Sequence, residues 1–317
     1  MGGLQLLEQL NRDNIKVNVV MVSTLTSNDA EVTVMALERG ALDFVTKPNN
    51  IIEAKGEHFR NQLLSVLEGV FHTKGSTVPA APLEQREAPS AAAGTRPVDR
   101  YSVSLSLKET RNHTPIKRLT AVNAKNRLVA LACSTGGPKA LQDVIPYLSK
   151  NLDAPLVLVQ HMPAGFTKSM AERLDDISKV DVTEAVDGEQ LKKGHVYVAP
   201  GGKHLEVRKN ADGSHKIVLN DMPAIGGLKP CANVMYDSLS DSGYDEIVCV
   251  VLTGMGADGT KGILSLCQHK PIHVIAQNAE TCVVYGMPRM IAETGIVDEV
   301  VPLNEVANTI NRKVGDR

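Results

Sequence analysis

Residues 128–137 read Leu-Val-Ala-Leu-Ala-Cys-Ser-Thr-Gly-Gly. Six apolar residues in a row, with no polar member to face water, predict a strand buried on both faces. The Gly136-Gly137 pair ends the run, and Pro138–Leu148 carries apolar residues at helical spacing. A buried strand that passes through a tight turn into a helix is one half of a βαβ unit.

The same grammar repeats outward from this stretch. Pro155–Gln160 reads as a strand and Thr167–Ile177 as a helix. Glu246–Leu252 is a strand followed by a helix at Thr260–Gln268. Ile272–Ala276 is a strand, Gly286–Ala292 a helix, and Asn304–Val314 a closing helix. Between the two halves, His195–Ala199, His204–Arg208 and Lys216–Leu219 read as a β-meander, with Asp212-Gly213 as a turn signal, and Ala232–Leu239 reads as a helix. Strands alternating with helices predict an α/β fold: a doubly wound, mainly parallel sheet with a β-meander insertion.

Upstream, residues 1–72 repeat the pattern in miniature. Gly3–Leu10, Asp29–Arg39 and Asn50–His72 read as helices; Val17–Val22 and Leu42–Val45 read as short strands. Residues 73–125 change character. Ser, Thr, Pro and Ala dominate Ser76–Pro97, a composition too poor in apolar area to offset ordering entropy. The chain therefore divides into a small α/β segment (1–72), a flexible linker (73–125) and a large α/β domain (126–317).

Composition narrows the function classes. Among 317 residues, 43% are hydrophobic and 22% charged, enough apolar material for a sizeable core. A net charge of −2 and the absence of Trp argue against nucleic-acid binding. The short basic stretch Arg111–Arg118 reads as solvated chain. Five cysteines with no CxxC pair argue against zinc or a disulfide framework, so no metal or cofactor is expected. Neither a signal peptide nor a run of about 18 apolar residues is visible, which predicts a cytoplasmic protein with no membrane insertion.

In a doubly wound sheet, sites form beyond the carboxyl ends of the strands. Ser134 follows the first strand of the large domain, His161 the second, and Asp258 lies in the turn Thr253–Gly259 after Glu246–Leu252. A serine, a histidine and an aspartate at one sheet edge offer a nucleophile, a base and an orienting carboxylate. Peptide N–H groups at the helix start after Ser134, and in the glycine-rich turn around Met255, offer donors for an oxyanion. Taken singly, Ser134 and Asp258 also read as helix caps and His161 as a structural histidine. Two rival sites stand beside the triad. Gly254–Gly259 matches GxGxxG, with Glu280 as the ribose-binding acid of a nucleotide site, although Asp258 inside that turn repels a pyrophosphate. Cys133 is the other potential nucleophile, at the end of an apolar strand.

Ser134-Thr-Gly-Gly-Pro, Gln160-His161-Met-Pro, Leu252-Thr-Gly-Met-Gly-Ala-Asp258-Gly and Val283-Val-Tyr-Gly-Met-Pro288 resemble, in order and spacing, the chemotaxis protein-glutamate methylesterase (CheB) family. Asp187-Gly-Glu and Gly194-His-Val-Tyr-Val-Ala-Pro-Gly match as well, so the resemblance spans residues 126–317. It implies hydrolysis of glutamyl methyl esters on methyl-accepting chemotaxis receptors, with release of methanol, and deamidation of receptor glutamines. It implies Ser134 as nucleophile, His161 as general base and acid, Asp258 as its orienting partner, and backbone N–H groups near Thr135 and Met255 for the oxyanion, with no metal or cofactor. Receptors, and a chemotaxis histidine kinase, are the implied partners.

Residues 1–72 resemble part of a response-regulator receiver domain, with Ser23, Phe44 and Lys47 at its switch positions and no counterpart of the phosphoacceptor. Asp13, Asp29 and Asp43 fall elsewhere and are expected at the surface or in caps, on a partly exposed, less stable segment. Two departures touch the large domain. Ala132-Cys133 replaces the Gly-Ala that usually precedes the serine, and Gly226–Asn233 replaces an Arg-Pro-Ser-Val-Asp-like stretch, with Asn233 in place of an aspartate. These departures motivate the alternative: a catalytically impaired receptor-binding module of the same fold.

Overall fold

The computed structural model describes residues 2–71, except 25 and 49, and residues 118–315, except 120 and 122. Most of the expected linker 73–125 lies outside the described residues. In chain order the elements are α1 (Gly3–Arg12), β1 (Val20–Ser23), α2 (Ser27–Glu38), β2 (Asp43–Thr46), α3 (Ile51–Ala54), α4 (Glu57–Phe71), β3 (Arg127–Cys133), α5 (Gly137–Gln142), β4 (Leu156–Gln160) and α6 (Phe166–Ile177). There follow β5 (Asp181–Glu184), β6 (His195–Val198), β7 (His204–Lys209), β8 (His215–Asn220), α7 (Ala232–Ser238), β9 (Glu246–Val251), α8 (Thr260–Leu266), β10 (Ile272–Gln277), α9 (Met287–Ala292), β11 (Glu299–Val301) and α10 (Leu303–Val314).

Seven strands form one sheet in the order β11-β10-β9-β3-β4-β6-β5, with every neighbouring pair parallel. The strand order reverses direction at β3, which lies between β9 and β4. Crevices open at such switch points beyond the strand ends. Every residue of β4 and β9, and all of β3 after Arg127, is buried. Their side chains alternate between two cores. Val129, Leu131 and Cys133 join the core under α5, α6 and α10; Leu128, Ala130 and Ala132 join the one under α7, α8 and α9.

The expected β-meander reduces to a hairpin. β7 and β8 pair antiparallel on their own, whereas β6 enters the main sheet between β4 and β5. The predicted helix 138–148 ends at Gln142 and resumes as a 3-10 turn at Ile145–Tyr147, where Pro146 cannot donate to a helix ladder. The predicted helix 50–72 is likewise split, into α3 and α4. Arg118, at the end of the stretch read as solvated, is anchored instead. Its guanidinium donates to the carbonyls of Ile272 and Ile296 and to Asp298 at 2.8 Å.

Among the described residues of the N-terminal segment, only β1 and β2 pair, in parallel. Its helix α2 lies on α5 and α6 of the large domain. Leu37 and Phe44 are buried in the same core as Phe166 and Met170, and the Phe44 ring stacks on Phe166 with centroids 4.6 Å apart. Arg173 pairs with Glu38 at 2.5 Å. Away from this seam, Val17 and Val22 are more than half exposed.

Candidate active site

The turns that follow β4, β3 and β9 come together because those strands are adjacent. Ser134 leaves β3 with its N–H on the Thr253 carbonyl at 3.0 Å, which ties it to the turn after β9. Gly136 sits at φ +77°, and a Cβ there would come within 2.5 Å of Val283. Glycine alone lets the chain turn sharply under that neighbour. Gly254 faces Ser134 directly: a Cβ on it would lie 2.8 Å from the Ser134 Cβ.

His161 and Asp258 form a nearly buried pair, Nε2 to Oδ2 at 2.8 Å, with side chains 8% and 5% exposed. Oδ2 also accepts the Ala232 N–H at 2.6 Å. Oδ1 accepts from the Asn233 N–H at 3.0 Å, the Gly259 N–H at 2.9 Å and the Cys231 thiol at 3.2 Å. Burial pushes the Asp258 carboxyl up, but His161, the Ala232 N–H and the Cys231 thiol outweigh it and hold it below the usual range. Asp258 is therefore an anion that accepts, and Nε2 of His161 carries the proton it donates. No hydrogen bond joins Ser134 to His161; such contacts are often loose before substrate arrives.

Two positioning groups escaped the sequence reading. Gln160, the one polar residue of β4, is buried. Its Nε2 donates to the carbonyls of Ser134 at 3.1 Å and His161 at 3.2 Å, linking the two turns that carry them. Thr253 is buried too; its Oγ1 donates to the Thr135 carbonyl at 3.0 Å and accepts the Val284 N–H at 2.9 Å. Gln160 could have been found by asking why a polar side chain ends an otherwise apolar strand, since buried polar groups are there for their partners.

The rival sites fare poorly. Cys133 is fully buried, its thiol donates to Gln160 Oε1 at 3.0 Å, and burial pushes its proton affinity far up, so it is no thiolate. In the GxGxxG turn, Asp258 is committed to His161, and Glu280 lies exposed in a 3-10 turn, Ala279–Thr281. Among the described residues no His, Cys, Asp or Glu cluster has the form of a metal site, and no helix is long and apolar enough to cross a membrane.

The switch positions of the N-terminal segment sit on its seam with the large domain or behind it. Ser23 accepts from Thr33 at 2.6 Å, Phe44 stacks on Phe166, and Lys47 is exposed with its N–H on the Ser23 carbonyl. Thr26, not Asp29, caps the start of α2: its hydroxyl oxygen accepts the Asp29 N–H at 3.2 Å, and the Asp29 carboxylate accepts from the Thr24 and Thr26 hydroxyls. Asp43 departs from its expected surface or cap place. It faces Thr135, the residue after Ser134, and burial lifts its carboxyl to about 6 against the opposing pull of Thr135 and the Phe44 N–H.

A family model described as CheB methylesterase matches residues 129–310. A protein-glutamate methylesterase/protein-glutamine glutaminase of Geobacillus kaustophilus is 38% identical over 316 residues, covering all of this chain and 82% of the relative. The protein of the same name from Bacillus subtilis is 38% identical over 292 residues, covering 92% of this chain and 76% of the relative. Among solved structures, the Thermotoga maritima CheB methylesterase catalytic domain is 42% identical with a TM-score of 0.57, covering 60% of this chain and 99% of that one. On the sheet, the His161–Asp258 pair and these matches, the chain belongs to the CheB methylesterase family of carboxylic-ester hydrolases.

Proposed function

We propose that this chain is a cytoplasmic protein-glutamate methylesterase and protein-glutamine deamidase acting on methyl-accepting chemotaxis receptors through a Ser134-His161-Asp258 triad. The observation that carries the reading is the His161–Asp258 pair at 2.8 Å, held at the same sheet edge as Ser134. Because Nε2 is committed to Asp258, the ring's other nitrogen, Nδ1, is the base. It takes the Ser134 proton as Oγ attacks the ester carbonyl. The N–H groups of Thr135 and Met255 hold the oxyanion. Methanol leaves with the proton returned by His161, or ammonia leaves when the substrate is a glutamine. Water, deprotonated at the same nitrogen, then hydrolyses the acyl-enzyme and frees the glutamate. Asp258 stays ionised throughout and stabilises the imidazolium that forms twice per cycle.

The departures at 226–233 do not favour the impaired-module alternative. Cys231, Ala232 and Asn233 all donate to Asp258 and therefore support the triad acid. Methanol release from methyl-labelled receptor membranes tests the proposal. Ser134→Ala, with its fold checked by circular dichroism, is expected to lose about 10³-fold or more. Equal release by both proteins would remove Ser134 from the role of nucleophile.

A further inference from the structure

Asp258 is held by more than the histidine it orients. Five donors reach its two oxygens, and three of them come from consecutive residues, Cys231, Ala232 and Asn233, where the chain enters α7. The backbone donors at Ala232 and Asn233 are indifferent to the side chain there. Cys231 and Asn233 add contacts that depend on their chemistry. The Cys231 thiol, 1% exposed, donates to Oδ1. The Asn233 side chain reaches past the carboxylate: its Oδ1 accepts the N–H of Gly259 at 3.1 Å and of Gly262 at 2.8 Å. Asn233 thus ties α7 to the first turn of α8, the backbone that immediately follows Asp258. The Gly259 N–H is shared between the Asn233 amide oxygen and Asp258 Oδ1, which brings those two oxygens to the same donor.

We infer that Cys231 and Asn233 are positioning residues for Asp258, and that their neutrality sets the pH range in which the His161–Asp258 pair works. The inference rests on the triad reading above. An S–H group is a weak donor, so it leaves more charge on the carboxylate than a hydroxyl would. An amide oxygen satisfies the same two N–H groups as a carboxylate would, without a second negative charge beside Asp258. A second charge there would favour the protonated imidazole, which cannot act as a base. Among the described residues, the titratable groups that face Asp258 are His161 from the end of β4, Cys231 at the start of α7 and the buried Tyr236 phenol of α7. Tyr236 is committed to the Ala130 and Val250 carbonyls. Burial and the Asp258 charge push Cys231 up to about 12, so it remains a donor across the working range.

The test measures kcat, KM and the pH dependence of kcat/KM for methanol release in the full chain. Asn233→Asp is expected to move the acid limb of the profile upward by about one pH unit, with KM unchanged. Cys231→Ala is expected to lower kcat about tenfold and shift the limb in the same direction. Cys231→Ser, which restores a stronger donor, is expected to recover the rate and place the limb at or below its wild-type position. Profiles of Asn233→Asp and Cys231→Ala that superimpose on the wild type would overturn the inference. Should Cys231→Ala fail to fold, the serine variant decides: a folded serine variant with a rate about tenfold down shows that the thiol acted by packing alone. Ser134→Ala, run alongside, separates the two failures. If it stays active the triad reading falls. If it is dead while the other profiles superimpose, only the positioning role falls.

Discussion

The chain builds the same α/β unit twice, with unequal success. In the large domain, β3, β4 and β9 are flanked by neighbours on both sides and covered by helices on both faces. In the N-terminal segment, β1 has β2 on one side only, and its Val22 is 53% exposed. A parallel strand draws its stability from burial on both faces, and two strands alone are marginal. The segment's order therefore comes from outside itself, through α2 on α5 and α6 and through Phe44 on Phe166. The catalytic edge is held by a self-sufficient sheet, and the seam next to it by a dependent one.

Paired substitutions test that contrast most severely. Leu131→Ala in β3, a fully buried position, is expected to cost about 2–5 kcal/mol in denaturant unfolding. Val22→Ala in β1 is expected to stay within about 0.5 kcal/mol. Comparable losses at both sites would show that β1 is integrated into the main fold as firmly as β3.

A smaller effect is expected at the seam. Phe44→Ala removes the ring that stacks on Phe166 and leaves the large domain's own strands untouched. Limited proteolysis within residues 2–71 is expected to accelerate several-fold, while the melting of the large domain shifts little. If the segment restricts access to Ser134, methanol release rises in this variant, and rises further on deletion of residues 1–72. Unchanged release in both would show that the segment rests beside the active site without covering it.

Much of the large domain was legible because its chemistry is local. Runs such as Val129–Cys133 and Ile247–Leu252 are long enough to mark buried strands, and the residue after each strand end is where a parallel sheet places its site. That rule singles out Ser134 and His161, which directly follow β3 and β4, and the turn after β9 that carries Asp258, although each residue taken alone also reads as a cap or a structural side chain. The misplaced strand His195–Val198 shows its limit. Its residues alternate like those of the β7–β8 hairpin, and only the long-range pairing with Leu156–Leu158 assigns it to the main sheet. The same holds for the support of Asp258. Nothing in the spacing of Cys231 and Asn233 points to a residue 25 or 27 positions away; the crossing of α7 over α8 brings them together. Asp43 was misjudged for a related reason. As an aspartate in a short strand it belongs at a surface, and the surface it occupies is covered by another part of the chain.

Asp43 provides the subtlest way to sharpen the contrast between the two regions. Its carboxyl is raised to about 6 in the folded chain from an ordinary value of 3.8, chiefly by burial against the large domain. A group whose proton affinity is raised on folding binds more protons folded than unfolded. Its contribution to the seam is complete below the unfolded value and is lost as pH rises through about 6. The segment is therefore expected to dock more firmly at pH 5 than at pH 7.5. With one side of the group near solvent, the difference is on the order of 1 kcal/mol. Asp43→Asn keeps the shape and the donor-acceptor capacity but cannot ionise. Hydrogen exchange of the Phe44 and Val45 amides, compared at the two pH values after correction for intrinsic rates, reads the effect where it arises. The wild type should lose protection at the higher pH and the variant should not. Central-strand amides such as Leu131 should be indifferent in both. Equal pH dependence in wild type and variant would move the titrating group elsewhere. A parallel loss at Leu131 would mean that the two regions open together, and that the dependent sheet is coupled to the self-sufficient one more tightly than their packing implies.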